Sequence, residues 1–224
     1  DKLSTAAQRG DQVELRIDGE FQPQAKARNV VASLNRGPRR IVVSTPYSGW
    51  FRCGGERGSG LAMFVALARW AAKRDTELSY TFVANSAHEL GYAGMSAFLE
   101  KHAPEPGAVV CWLHLGANVA LLPEARPPDA ARATRLFTTN PAWEPLLTPL
   151  FRDVPWVRVS VGREPSGELA LVVPKGYPAL NLAGGGNRWM HSPQDGPEST
   201  GPSVLEPLAS ALVQMLATME AQTP

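Results

Sequence analysis

The sequence predicts an α/β sandwich. Three observations carry that expectation: strand-like and helix-like stretches alternate along the chain, some strand-like runs are apolar without interruption, and 224 residues with 44% hydrophobic content suffice for one sizeable core. The elements follow in order. A first strand is expected at 12–17 and a second at 29–34. The third, at 39–44, contains Ile41-Val42-Val43, an unbroken apolar run that suits a central strand covered on both faces. A helix at 59–73 places Leu61, Phe64, Val65 and Ala68 on one side. Strand 78–84 follows, then a helix from about Tyr92 that repeats the spacing with Met95, Phe98 and Leu99. Strand 108–115 holds a second unbroken run, Ala108-Val109-Val110. Asn140-Pro141 reads as an N-cap followed by Pro at the first helical position. Strands at 156–161 and 177–182 precede a last helix, where Ser203 and Glu206 have capping-box spacing before Leu208, Leu212, Met215 and Leu216. The Pro- and Gly-rich segments at 123–128 and 184–202 are loops too short to be linkers, and there is no internal repeat.

Residues 1–224 are therefore read as a single domain. Because the sequence begins at Asp1 with neither an initiating Met nor a signal-like segment, it is read as the C-terminal part of a longer chain. A formal net charge of +1, with 22 scattered basic residues and no aromatic platform, argues against a nucleic-acid partner. No apolar stretch approaches the ~18 residues needed to span a bilayer. Cys53 and Cys111 fit either two buried thiols or one disulfide.

Several motifs fail on inspection. A zincin helix H-E-x-x-H beginning at His88 would need a histidine where Tyr92 stands. Ser59 lacks the spacing of a nucleophile elbow, no Walker lysine follows the glycines of 54–60, and Gly184-Gly185-Gly186 is not a dinucleotide fingerprint. His102, at the end of a helix, favours the dipole and reads as structural. Glu56 alone would read as a solvated turn residue.

What remains is a set of segments in a meaningful order: Thr45-Pro46-Tyr47 after a strand, Gly55-Glu56-Arg57-Gly58-Ser59-Gly60 before a helix, His88-Glu89-Leu90-Gly91 and His114-Leu115-Gly116 at strand ends, then Gly176-Tyr177-Pro178-Ala179-Leu180 and His191-Ser192-Pro193-Gln194-Asp195. Over residues 28–219 this pattern resembles the two-zinc aminopeptidases of the bacterial leucyl aminopeptidase type, a superfamily that also holds the glutaminyl cyclases. The resemblance implies a three-layer α/β/α sandwich with a mixed, mostly parallel central sheet, and an extracytoplasmic location. It assigns His88 to the general-base position, where the family has Glu. Glu56, Glu89 and His191 fall on one zinc site; Thr45, Glu56 and His114 fall on the second, with Tyr47 where the family orients its first histidine through Asp.

Thr45 is a poor zinc ligand. Two dications ~3.5 Å apart repel by roughly 20 kcal/mol even at an effective dielectric of about 20, and Glu56 and Glu89 supply only two carboxylates against them. At most one divalent ion, zinc by resemblance, is expected. Asp195 and Glu168 are second-layer candidates for His191 and the pocket, and Trp50, Trp112 and Trp189 are candidates to line it. The expected function is an aminopeptidase-like domain, silent as a peptidase, with a binding or structural role. The alternative is a divergent single-metal hydrolase or acyl-transfer enzyme acting on a peptide or small amide, with His88 as base.

Overall fold

The apolar run Ile41-Val42-Val43 divides between two cores as a strand's period of two requires. Ile41 and Val43 join one buried cluster with Tyr80, Phe82, Cys111 and Leu113, while Val42 joins another with Val83, Trp112 and Phe98. This split defines a sheet covered on both faces. A computed structural model describes residues 2–127, 134–162 and 165–221. Its seven strands are β1 Val30–Leu34, β2 Arg40–Pro46, β3 Ser79–Asn85, β4 Val109–Leu115, β5 Thr134–Thr138, β6 Val157–Val161 and β7 Ala179–Ala183. They lie in the order β1-β3-β2-β4-β7-β5-β6. The sheet is mixed: β3, β2, β4 and β7 run parallel, β1 pairs antiparallel with β3, and β5 pairs antiparallel with β7.

The helices are α1 Lys2–Arg9, α2 Ser59–Ala72, α3 Ala93–Lys101, α4 Glu144–Leu150, α5 Leu169–Val172 and α6 Pro202–Ala221. Met63 and Leu67 of α2, Leu147 of α4, and Leu208, Leu212 and Leu216 of α6 fill the first cluster. Met95 and Phe98 of α3 and Leu169 and Val172 of α5 fill the second. An α/β sandwich with helices on both faces is what the alternating pattern leads one to expect. Among the described residues no helix is long and apolar enough to cross a membrane.

The local differences have physical causes. The stretch 12–17 is not a strand; Val13, Leu15 and Ile17 are exposed, with no neighbouring strand to take up the backbone hydrogen bonds. Strand β5 was missed, although its burial alternates as a strand should. Helix α1, which buries nothing, was not anticipated. Asn140 does cap its helix, accepting the Ala142 N–H at 3.1 Å, but the first turn is a 3-10 turn, Pro141–Trp143. Pro202 takes the first position of α6, so Ser203 lies inside the first turn rather than capping it. Pro128, the end of the loop read at 123–128, lies outside the described residues. Cys53 and Cys111 are both free and buried.

Candidate functional site

Because β2, β3, β4 and β7 are parallel, their carboxyl ends share one edge of the sheet, and the loops leaving that edge carry the candidate residues. All six non-glycine residues with positive φ among the described residues lie in these loops: Phe51 and Cys53 after β2, Ala87 and Tyr92 after β3, Asn118 after β4, and His191 after β7. Left-handed backbone bearing a Cβ costs about 1–3 kcal/mol per residue and concentrates where side chains must be aimed.

The loop after β2 enters α2 through a π-helical turn, Gly54–Gly58, in which the N–H groups of Arg57 and Gly58 both donate to the Cys53 carbonyl at 2.9 Å. Asp195 grips this turn. Its Oδ1 accepts the Gly55 N–H at 2.8 Å, its Oδ2 the Glu56 N–H at 3.0 Å, and its carbonyl the Gly54 N–H at 2.8 Å. Gly54 is required sterically, since a Cβ there would lie 1.9 Å from the Gly196 carbonyl oxygen. Asp195 thus supports Glu56, with both carboxylate oxygens given to this turn rather than to His191, the partner proposed for it from sequence.

Glu56, Glu89 and His191 converge, with one donor atom of each within 4.8 Å of the others; they form the one group of metal-capable side chains found among the described residues. Sequence reasoning overlooked a fourth member. The Arg57 guanidinium is ion-paired through one nitrogen to Glu89 Oε1 at 2.6 Å and to Glu56 Oε1 at 3.0 Å, with its side chain only 4% exposed. His191 Nε2 lies 3.1 Å from that same Glu56 oxygen. A ring nitrogen that bonds a carboxylate holds the proton there, and a protonated nitrogen has no lone pair for a metal. A dication about 4 Å from the guanidinium would be repelled by about 8 kcal/mol at an effective dielectric of about 20. With Arg57 in this position the trio does not fit a metal ion.

The residues of the second expected metal position are arranged otherwise. Thr45, buried, donates its hydroxyl to the Leu115 carbonyl at 2.8 Å, and Tyr47 turns outward to donate to the Arg28 carbonyl at 2.5 Å. His114 stands apart from the trio. It sits in a buried row of polar groups: the Trp112 indole N–H donates to Ser44 Oγ at 2.8 Å, and Ser44 Oγ meets His114 Nδ1 at 2.8 Å. On its other side His114 Nε2 lies 3.8 Å from Glu168 Oε2. Burial pushes the His114 pKa down to about 4, an effect the neighbouring Glu168 opposes and His88 and Arg57 reinforce.

Glu168 is fully buried and bonds His88 rather than His191: its Oε1 meets His88 Nδ1 at 3.0 Å, and its Oε2 accepts from Asn85 Nδ2 at 3.0 Å. The His88 ring rests against Tyr92, centroids 4.8 Å apart. With His88 Nδ1–H donating to the Glu168 carboxylate, Nε2 is left as an acceptor. Cys53 offers no nucleophile, because burial, reinforced by Glu56, raises its thiol pKa to about 11. Of the tryptophans, Trp112 belongs to the core, edge-on to Phe98 and Tyr177, whereas Trp50 is exposed and Trp189 half-buried.

No family sequence model matches the chain, and no curated protein matches it by sequence. Solved structures do. BSAP, a zinc aminopeptidase from Bacillus subtilis, superposes with a TM-score of 0.68 at 20% identity over 84% of this chain and 50% of its own. Porphyromonas gingivalis glutaminyl cyclase gives a TM-score of 0.66 at 14% identity over 85% of this chain and 76% of its own. A peptidase M28 precursor from Shewanella amazonensis gives 0.66 at 16% identity over 88% and 45%. The fold is the one these zinc aminopeptidases and the glutaminyl cyclase share, and the chain spans about half the length of the aminopeptidase structures it matches.

Proposed function

We propose that this chain is an exopeptidase-fold domain that does not carry out two-metal amide hydrolysis and instead binds a peptide or small amide ligand at the strand ends. One observation carries the reading: the second-metal positions are tied into the fold, Thr45 to the Leu115 carbonyl and His114 between Ser44 and Glu168. At most one divalent ion could use Glu56, Glu89 and His191, and only with Arg57 withdrawn from its two carboxylates. The precursor among the similar structures supports a location outside the cytoplasm. The test is hydrolysis of a panel of aminoacyl anilides with micromolar zinc present. The expected rate is that of buffer, and robust turnover would sink the reading.

A second reading, a divergent hydrolase or acyl-transfer enzyme, draws support from the 3.0 Å contact between His88 and Glu168. There His88 takes a proton through Nε2 and Glu168 fixes its tautomer. In a screen of peptide and amide substrates, any activity found should fall on the order of 10²- to 10⁴-fold in His88→Ala. It should fall less in Glu168→Gln, with a displaced pH profile. Activity unchanged in His88→Ala rejects this reading.

A further inference from the structure

We propose that Arg57 is a resident cation that takes the place of a metal ion: its guanidinium neutralises Glu56 and Glu89, keeps the trio metal-free, and masks a zinc site that its removal would uncover. The inference deepens the reading of this domain as non-hydrolytic and rests on that reading.

The site is built around the arginine. A single guanidinium nitrogen reaches both carboxylates, at 3.0 Å for Glu56 and 2.6 Å for Glu89, the bridging arrangement a shared cation adopts. Nε donates at 3.0 Å to the Ser48 carbonyl, so the planar group is fixed on a second side. The stem runs past Gly49, where a Cβ would lie 3.3 Å from Arg57 Cγ and 3.4 Å from Nε; glycine leaves room for it. The π turn brings two consecutive residues, Glu56 and Arg57, both below 5% exposure, into the same interior. Arg57 NH1 is buried without an acceptor among the described residues.

The charge count agrees. Two carboxylates and one guanidinium leave a net charge of −1, whereas the same trio without Arg57 offers two carboxylates and an imidazole, a donor set that suits zinc. His191 Nε2, now bonded to Glu56, would then be free to give up its proton and ligate.

The experiment compares the wild-type chain, Arg57→Met and the double variant Arg57→Met/His191→Ala. Each is dialysed against micromolar zinc, and zinc per chain is counted by plasma mass spectrometry alongside thermal unfolding with and without zinc. Wild type is expected to retain almost none and to show no zinc-dependent shift. Arg57→Met should retain about one zinc per chain, bind it on the order of 100-fold more tightly than wild type, and lose it in the double variant. An Arg57→Met chain that folds only when zinc is supplied also supports the proposal. About one zinc per wild-type chain overturns it; so does Arg57→Met that binds none, or that stays unfolded with zinc present. Anilide turnover by the wild type tests the non-hydrolytic reading separately, whatever the zinc count.

Discussion

Asp195→Ala is expected to destabilise the chain by about 3–5 kcal/mol, because Asp195, 1% exposed, holds the N–H groups of Gly55 and Glu56 in two charge-assisted hydrogen bonds. Each such bond is worth about 1.5–3 kcal/mol, and alanine would leave both donors buried and unpaired. Asp195→Asn keeps one acceptor oxygen and should lose about half as much. Denaturant unfolding reads the difference, with an unchanged slope showing that only stability has moved. A loss below about 1 kcal/mol would mean that the turn holds without its clamp. The effect reaches past stability, since Glu56 is fully buried and ion-paired to Arg57 only while this turn keeps its shape.

Stability should also fall in acid, and His114 should account for about 3 kcal/mol of the fall. In the unfolded chain its ring has the ordinary pKa of about 6.5, and in the fold burial pushes it down to about 4. Between those values the unfolded chain holds the extra proton, so stability rises with pH. The contribution of the neutral ring is complete above about pH 6.5, shrinks as the pH drops toward 4, and changes no further below that. A gap of two to three units at 1.36 kcal/mol each sets the magnitude. Unfolding curves of wild type and His114→Asn between pH 4 and 8 isolate this share from that of other groups. Parallel pH profiles for the two proteins would reject it.

Much of the fold was legible because its strands announce themselves twice, by β-branched composition and by unbroken apolar runs. β2, β3 and β4 lie within a few residues of where those runs place them. The run at 12–17 alternates apolar and polar residues as a strand would and forms none, because hydrogen-bond partners are a property of neighbours and not of the segment. At the site, three of the four residues read as ligands meet in space, while His114 is drawn into a separate row with Ser44 and Glu168. Arg57 escaped notice because a charged residue in a glycine-rich loop ordinarily faces water. Its burial comes from the π turn, which no propensity signals. The available clue was its place beside Glu56, since a buried carboxylate calls for a nearby cation. Glu168 was recognised as a pocket residue, but His88 was not foreseen as its partner, because partners so far apart in sequence are chosen by the crossing of loops.

The row from Trp112 to His88 joins two parts of the molecule that are usually treated as separate. The indole N–H donates to Ser44 Oγ, whose remaining lone pair and hydrogen meet His114 Nδ1, while the far edge of the imidazole faces Glu168. Glu168 in turn meets His88 with its other oxygen. An aromatic ring packed edge-on to Phe98 and Tyr177 therefore anchors one end of a polar row whose other end is His88, at the strand ends. A repacking of the apolar layer beneath α3 that displaced this ring would take the indole donor from Ser44 and disturb the row from within the core, without touching His88 itself.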